Sequence, residues 1–374
     1  MKRFIFSAIA LTVAATACTE SGIIDMPEFY QNPIVFDTYI GKAPVTKAAN
    51  CGISELKSST GGAHIYGFKC DKVTGRPYDY VDYSSAYLDG ELLCDDPDAA
   101  QASWIYYEDG VAEEAYMPTD KDLAVVAYNL QAAGNTYMTN ISEDKTGFDF
   151  TVQDVVSNQV DLLVTPLTFV TENTNGDTQV PLRFYHLLSR VGFKVQSTGN
   201  STTVIKISSI KLTGSFAKKG HVDMTLAIAT PNSSANAESN IVLKDGLRPS
   251  IMPILTGSNI YQTEYELLPG TDNIFQTTAG DCYQTAQQIS TSGNNCYMMI
   301  MPGIQENASV VITYQLGDSG ERTETIDLDA LNDINYFEAG NAYEFIFKLS
   351  TSAIEFSGEV VEGDWNSPTE KEMY

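Results

Sequence analysis

Residues 160–193 read VDLLVTPLTFVTENTNGDTQVPLRFYHLLSRVGF, with an apolar run on either side of the polar segment TENTNGDTQ at 171–179. The dipeptide Asn175-Gly176 is typical of a tight turn between the two strands of a hairpin. The polar segment is longer than a usual hairpin loop, however, and Pro166 and Pro181 interrupt the flanking runs. The pattern therefore favours a connection between two domains at least as well as a hairpin.

Length and strand patterning predict the fold class. A chain of 374 residues is long for one core and suits two domains of ~150 residues. Apolar residues alternate instead of recurring at helical spacing, so that Ile34, Phe36, Thr38 and Ile40 share one face of an extended segment. Similar strands are predicted within 122–130, 203–214, 309–316 and 341–350. The sequence therefore predicts an all-β protein with two antiparallel β-sandwich domains in tandem.

The charge balance excludes one class of partner. The chain has 48 Asp and Glu residues against 22 Lys and Arg residues, which gives a formal net charge of −26. A protein that neutralises nucleic-acid phosphates needs a surplus of basic side chains. We therefore expect no nucleic-acid partner and interpret the acidity as a solvated surface that keeps a cell-surface protein soluble.

The N-terminus indicates export and lipid attachment. The stretch MKRFIFSAIALTVAATAC has two basic residues, an apolar run from Phe4 to about Val13, and small residues before Cys18. A cysteine in that place resembles a bacterial lipobox, so we expect a signal peptide at 1–17 and a palmitate-type lipid on Cys18. A lipid-anchored linker at 18–30 would then tether the protein to the cell outer membrane, exposed at the surface. The alternative is a plain signal peptide with an incidental cysteine.

The other cysteines are less decisive. Cys51, Cys70, Cys94, Cys282 and Cys296 make an odd number, so at least one is unpaired in an exported chain where disulfides can form. Cys282 and Cys296 are close enough in sequence to bridge. The spacings do not have the paired CxxC pattern of a zinc site.

An enzyme is the competing class, and the sequence argues against it. The histidines are His64, His186 and His221, and none lies in a HExxH motif. The chain also lacks a GxSxG motif and a phosphate-cradling glycine loop. We interpret His186, in FYHLLSR, as a packed or capped residue near the connection. The sequence therefore predicts no catalytic residue, no metal site and no cofactor.

Five segments, in order, resemble the sequence signature of the fimbrillin family, the type V pilins of Gram-negative surface fimbriae. They are IVFDTYIGKAPVTKAA at 34–49, AYMPTDKDLAVVAYNL at 115–130, VDLLVTP with VPLRFYHLLSRVGFKV around the polar segment, NCYMMIMPG at 295–303, and the closing stretch at 337–365. In that family the polar segment joins two transthyretin-like sandwiches. The resemblance implies an N-terminal sandwich at 31–172 and a C-terminal sandwich at 180–374 with its terminal strand at 353–365.

The resemblance also implies assembly by strand exchange. In the family, a pilin's own first strand fills an apolar groove until a protease removes it, and the C-terminal strand of a neighbour then takes its place. In this chain, the first-strand side chains that would fill the groove before cleavage are Ile34, Phe36 and Ile40.

The donor strand would lie near the C-terminus and would have apolar residues at the same alternate positions as the first strand. Its candidate residues are Ile354, Phe356 and Val360, which alternate with Glu355, Ser357 and Glu359. The alternative is that this segment is only the last strand of the chain's own second domain.

The processing site is expected after the first strand. Lys47-Ala48 is the best match, and Lys42-Ala43 is the second. Both have Lys where the family's proteases cut after Arg. This departure leaves two possibilities. Either a different or Lys-tolerant protease cuts this chain, or the subunit is never processed, as for a tip or an anchor. A lysine in an exposed loop also needs no special explanation.

The resemblance implies a structural subunit, whether shaft, tip or anchor, of an adhesive fimbria on the cell surface. Its partners would be other fimbrial subunits, the lipid anchor and a host or bacterial surface ligand. The alternative is a monomeric glycan-binding or adhesin lipoprotein. In that case the most aromatic segment could offer stacking faces at Tyr78, Tyr80, Tyr83, Tyr87, Trp104, Tyr106 and Tyr107.

Overall fold

The structure is a computed structural model. It describes residues 32–40, 56, 61–71, 81–95, 104–133, 136–173, 177–198, 202–231, 241–243, 246–268, 274–277, 282–283, 286–289, 297–304, 307–328, 336–350 and 354–361. For some of these strand residues, among them Ile40 and 354–361, only the backbone is described. Residues 32–374 form one compact unit. The predicted segments 1–17 and 18–30 lie outside the described residues.

The chain up to His186 contributes the first group of strands. They are β1 (Ile34–Ile40), β2 (Ala63–Asp71), β3 (Leu88–Cys94), β4 (Trp104–Glu108), β5 (Val111–Glu113), β6 (Lys121–Asn129), β7 (Met138–Thr139), β8 (Gly147–Thr151), β9 (Leu163–Val164), β10 (Leu167–Val170) and β11 (Thr178–His186). Short 3-10 turns occur at Leu130–Ala132 and Val156–Asn158.

The chain after His186 contributes the second group. It comprises β12 (Ser189–Ser197), β13 (Ile205–Ala217), β14 (Lys219–Asp223), β15 (Ile228–Pro231), β16 (Ile241–Leu243), β17 (Ile251–Pro253), β18 (Tyr261–Glu266), β19 (Phe275–Gln276), β20 (Gln287–Gln288), β21 (Tyr297–Ile300), β22 (Gly303–Ile304), β23 (Ser309–Leu316), β24 (Arg322–Asp327), β25 (Tyr336–Phe337), β26 (Ala342–Leu349) and β27 (Ile354–Val361).

The all-β fold class is confirmed. In β23, Val310, Ile312 and Tyr314 are buried while the residues between them are half-buried. This period of two is the alternation that the sequence shows, because successive side chains of a strand point to opposite faces of the sheet. Most ladders are antiparallel, although β1 runs parallel to β11 and β12 runs parallel to β26.

The largest sheet closes on itself. Its strands follow the order β1-β11-β9-β6-β2-β3-β4-β5. Just after β5, the chain returns to β1, where Ile34 N donates to Ala115 O at 2.8 Å and Met117 N donates to Asn32 O at 2.9 Å. The sheet therefore wraps around an apolar interior that includes Ile65, Val125, Leu182 and Phe184.

The change of sheet falls after the polar segment. β10 and β11 flank 171–177, and both belong to the largest sheet, where β10 pairs with β6 and β11 pairs with β9. β12, by contrast, lies in the sheet β20-β12-β26-β27. The chain thus crosses between layers at Leu187 and Leu188, which are both fully buried. The boundaries at 172 and 180, which the family resemblance implies, flank the polar segment, and the division into two domains stays a prediction.

The second half also returns to the first. β13 pairs with β18 and β23, but the next strand, β14, pairs with β8, and β15 runs parallel to β10. The buried Lys218 lies at this crossing and forms an ion pair with Asp154. One core cluster contains Phe148 of the first half and Phe345 of the second. The two halves are therefore interlocked by hydrogen bonds and by a shared core.

Charged residues protect one exposed edge. On β24, Arg322 lies opposite Tyr314 and Glu324 lies opposite Ile312, so both charges occupy positions in the row that faces the core. Both are nevertheless exposed, because β24 lies at the edge of its sheet. Charges in such positions discourage pairing with another chain.

Replacing the two charges is expected to remove this protection. The variant Arg322→Val/Glu324→Val should shift the purified chain from monomer to dimers and larger species, as measured by light scattering. Thr323→Val/Thr325→Val changes the other row of the same strand and serves as the control. A monomeric double-valine variant at Arg322 and Glu324 would show that these charges do not guard the edge.

Candidate functional site: the first-strand slot

The candidate site is the space that β1 fills between β11 and residues 115–117, which we call the first-strand slot. β1 runs parallel to β11, from Ile34 opposite Thr178 to Ile40 opposite Phe184. On its other side, the described backbone pairs with 115–117 only through Asn32 to Ile34. Beyond Ile34, the described ladder of β1 is therefore the one with β11.

Apolar side chains line the slot. Ile34 and Phe36 are only 8% and 5% exposed. The ring of Phe36 lies 6.3 Å from the ring of Tyr106 on β4. The wall formed by β11 presents Val180, Leu182 and Phe184, all fully buried. On the opposite face of β1, Val35 is 43% exposed. β1 is thus amphipathic, and its apolar face is the one that enters the slot.

Polar contacts secure the N-terminal end of β1. Thr178 N donates to Pro33 O at 2.8 Å, and Thr178 Oγ1 donates to Asn32 Oδ1 at 3.1 Å. The side-chain Nδ2 of Asn32 also donates to the backbone carbonyl of Asn173. Asn173 N in turn donates to Thr178 Oγ1 at 2.9 Å. Asn173 and Thr178, both in the polar segment 171–179, therefore fix the N-terminal end of the first strand by hydrogen bonds.

The docking of β1 has a limited energy. Burying Ile34 and Phe36 stabilises the docked strand by roughly 3–6 kcal/mol, as an upper estimate. The strand is joined to the rest of the described structure mainly along one edge. The ladder with β11 and the burial of these two side chains therefore hold the first strand in the slot.

The structure places the predicted first strand beside β11, and most of the wall opposite β11 consists of residues that the sequence did not single out for this role. The predicted side chains Ile34 and Phe36 lie in the slot, while the side chain of Ile40 lies outside the described residues. Tyr106, Ala115 and Met117 had no signal pointing to this role except that 115–130 resembles a family segment. Cys18, Lys42, Ala43, Lys47 and Ala48 also lie outside the described residues, so lipid attachment and processing stay predictions.

The candidate donor strand lies in the chain's own sheet. β27 pairs with β26 in antiparallel register, with Ile354 opposite Leu349, Phe356 opposite Phe347 and Val360 opposite Tyr343. All three partners on β26 are buried. The apolar phase of 354–360 therefore falls on the row of β26 residues that faces the core. A donor role for this strand stays a prediction.

The three histidines occupy three separate places, each beside an aspartate. His186 Nδ1 lies 2.5 Å from Asp161 Oδ2, and both side chains are buried. Leu162 N donates to the other oxygen of Asp161 at 2.8 Å. This pair links the end of β11 to the segment before β9, next to the crossing between sheets. Its position agrees with a packed histidine at the connection.

His64 and His221 have similar surroundings. His64 Nε2 lies 2.9 Å from Asp89 Oδ1, and its ring stacks on Tyr128 with the centroids 5.4 Å apart. His221 Nδ1 lies 2.8 Å from Asp149 Oδ1. Among the residues that the structure describes, no cluster of three or more His, Cys, Asp or Glu side chains could hold a metal ion.

The described cysteines include two that are buried, Cys70 and Cys282. Burial, reinforced by the carboxylates of Asp122 and Asp71, raises the pKa of Cys70 to about 12. This thiol therefore stays protonated and unreactive at neutral pH. Cys296, the predicted partner of Cys282, lies outside the described residues, so that bridge stays a prediction.

The aromatic segment contributes mainly to packing. Tyr106 is 4% exposed and faces the slot. Tyr83 packs on Phe68, with the ring centroids 5.1 Å apart. The Lys69 ammonium lies 4.6 Å from the centroid of Tyr87. Tyr78 and Tyr80 lie outside the described residues.

Comparisons with known proteins agree with this architecture. A fimbrial protein from Bacteroides vulgatus has a TM-score of 0.53 at 15% identity, over 89% of this chain and 99% of that one. A candidate cell adhesion protein from Bacteroides uniformis has a TM-score of 0.51 at 14% identity, over 91% and 99% of the two chains. At such identities these likenesses concern the fold alone.

Sequence comparisons define the family. Curated protein sequences give no match to this chain. No helix in the described part is long and apolar enough to cross a membrane. The profile of the fimbrillin-like family matches residues 98–365, which is more than half of the chain. The chain therefore belongs to the fimbrillin-like family, and it is a fimbrial or adhesion-related surface protein.

Proposed function

We propose that this chain is a structural subunit of an adhesive surface fimbria and that it assembles by strand exchange at the first-strand slot. In the proposal, β1 fills the slot in the unassembled subunit. Proteolysis after Lys47 or Lys42 then frees the strand, and 354–360 of a neighbouring subunit replaces it. The proposal gives the chain no enzymatic activity.

The burial of β1 in the slot is the observation that carries the proposal. Its apolar face meets Val180, Leu182 and Phe184, and without β1 these side chains and the edge of β11 would lose their cover. An uncovered apolar edge is a template for another strand. Strand addition of this kind gains main-chain hydrogen bonds along the edge and side-chain burial in the groove.

The sequence offers a strand of matching pattern. IVFDTYI at 34–40 and IEFSGEV at 354–360 carry apolar residues at their first, third and seventh positions. These are Ile34, Phe36 and Ile40 in the first strand and Ile354, Phe356 and Val360 in the second. A β-strand exposes alternate positions to one face, so the second segment can present the same side-chain positions to the slot.

The proposal is tested on fimbriae isolated from the cell surface. We expect this subunit in them with an N-terminus at Ala48 or Ala43, and unassembled subunit in the membrane fraction with the lipid-modified Cys18. Fimbriae whose subunits all retain residues 18–40 would contradict strand replacement in the shaft. Complete absence of the chain from any polymer would contradict the fimbrial role itself.

Anchoring through Cys18 is a separate part of the proposal. Cys18→Ala is expected to abolish lipid labelling and leave an uncleaved or mislocalised precursor, because the lipid attaches to that thiol. Metabolic labelling with a fatty acid, followed by fractionation of the cell envelope, measures both effects. Cys51→Ala is the matched control, since Cys51 follows the predicted signal by more than thirty residues. Normal surface anchoring of Cys18→Ala would reject the lipoprotein assignment.

A further inference from the structure

A pair of guanidinium groups lies over one aromatic ring beside the slot. The Cζ atom of Arg183 is 5.2 Å from the centroid of Tyr185, and that of Arg248 is 6.0 Å from it. Arg183 is half-buried and Arg248 is exposed, whereas Tyr185 is buried. Arg248 forms no ion pair with any residue that the structure describes. Cation–π contacts hold both positive charges in place.

This pair is a local concentration of positive charge on a strongly acidic chain. The formal net charge of the protein is −26, so two copies repel one another at long range. At physiological ionic strength that repulsion is screened beyond about 8 Å, and contacts between individual charges then decide how two surfaces fit. A basic pair next to an assembly site is therefore suited to an acidic partner.

The register of β1 places the pair at the end of the slot. Arg183 lies opposite Tyr39, and the next residue, Phe184, lies opposite Ile40. A second strand that enters the slot in the same direction, with Ile354 in the place of Ile34, puts Phe356 in the place of Phe36 and Val360 in the place of Ile40. The residue that then takes the position of Tyr39 is Glu359.

In the unassembled chain, the backbone register places Glu359 at a position opposite another acidic residue. It lies opposite Glu344 of β26, which is only 6% exposed. Like charges directly opposite each other in an antiparallel ladder destabilise the pair of strands. Lys194 Nζ is 3.9 Å from Glu344 Oε2. Glu355 differs, because it lies opposite Lys348 in its own sheet and would face Gln179 in the slot.

We infer that Arg183, assisted by Arg248, recognises Glu359 on the incoming strand of a second copy and thereby sets the register of assembly. This inference rests on the proposed strand exchange and adds to it a specific pair of residues. Apolar spacing alone would also tolerate a shift of two residues, since such a shift keeps the same face in the slot. A charge pair at one end makes the shifted registers less favourable.

A double-mutant cycle tests the pair. The four forms are the unchanged chain, Arg183→Gln, Glu359→Gln and the variant with both changes, each produced as the full chain in the fimbriated cell. Size-exclusion chromatography of surface-released material gives the ratio of polymer to monomer. Glu359→Gln also relieves the repulsion from Glu344, but that effect is the same with or without Arg183. The cycle therefore isolates the coupling between the two residues.

We expect each single change to lower the polymer-to-monomer ratio about threefold and the second change to add little, as for one exposed charge pair. Glu355→Gln is the matched control. It should leave the polymer-to-monomer ratio in place, because Glu355 would face Gln179 in the slot and not Arg183. Arg248→Gln should give a smaller decrease in the ratio. Because Arg248 is exposed, this variant still tests the inference if Arg183→Gln destabilises the fold and lowers the melting temperature. Independent effects of Arg183→Gln and Glu359→Gln, together with an unchanged ratio in Arg248→Gln, would overturn the inference. Failure of the unchanged chain to polymerise would overturn the proposed function as well.

Discussion

Phe36→Asp is expected to release the first strand from the slot while the remaining strands stay folded. The new carboxylate would face Val180 beside the ring of Tyr106, where an unpaired charge is costly to bury. A loss of about 3–5 kcal/mol is comparable to the whole docking energy of β1. The strand therefore leaves the slot, and the charge reaches water.

Hydrogen exchange at Thr178 measures this release directly. Its amide donates to Pro33 O at 2.8 Å, so the amide is protected only while the start of β1 is docked. Exchange there should accelerate at least about a hundredfold. Val35→Asp is the matched control on the same strand, because Val35 is 43% exposed on the opposite face. Unchanged protection in Phe36→Asp would mean that β1 is not separately releasable.

Val222→Asp is expected to destabilise both halves of the chain together. Val222 lies on β14 with no exposed surface, and it pairs with Phe148 of the first half. A charge there enters the core cluster that also contains Phe193 and Phe345 of the second half. The free energy of unfolding should fall by about 3–5 kcal/mol.

Hydrogen exchange distinguishes joint from separate unfolding. The amides of β6 in the first half and of β26 in the second should lose protection to the same extent. Leu226→Asp is the control, since that side chain is 51% exposed only four residues further along the chain. Loss of protection in one half alone would show that the halves unfold as independent domains, as tandem sandwiches would.

Local pattern was enough to predict several of the strands and their inner faces. The alternation in 309–316 gave β23, and that in 34–40 gave the buried face of β1 with Ile34 and Phe36. A residue's exposure within a strand follows from a period of two, which a short segment already contains. The same reasoning found the apolar phase of 354–360 and its likeness to the first strand.

Pairing between distant segments was beyond that reasoning. The closure of the largest sheet depends on Ile34 meeting Ala115, and the interlocking of the halves depends on β14 meeting β8. Neither partner is specified by the local sequence, because many strands of similar pattern could form each ladder. The polar segment 171–179 was conspicuous in composition, yet the change of sheet occurs at the apolar residues Leu187 and Leu188.

The site was predicted on one side only. The first strand has an apolar pattern that stands out in the sequence, whereas its walls are ordinary strands. Tyr106 was assigned to an aromatic segment and Arg183 to a family signature, and nothing in their neighbours connects them to Phe36 or Tyr39. Those relations arise from the parallel register of β1 and β11.

A disulfide between the slot and the C-terminal strand tests strand exchange most directly. Phe36 lies opposite Val180, so Phe356 of a neighbour would take that place in the assembled fimbria. Neighbouring positions in a ladder lie about 5 Å apart between Cα atoms, which suits a disulfide. Val180→Cys/Phe356→Cys is the test pair. Phe347→Cys/Phe356→Cys is the alternative pair, because Phe347 lies opposite Phe356 within one chain.

Both pairs are oxidised in isolated fimbriae, and the products are separated by mass with and without a reductant. Strand exchange predicts reducible links between subunits for Val180→Cys/Phe356→Cys and few links within a subunit for Phe347→Cys/Phe356→Cys. Gln179→Cys/Phe356→Cys, which moves the thiol to the other face of β11, should give few links of either kind. Fimbriae that link within each chain at 347 and 356 but never between chains at 180 and 356 would contradict the account.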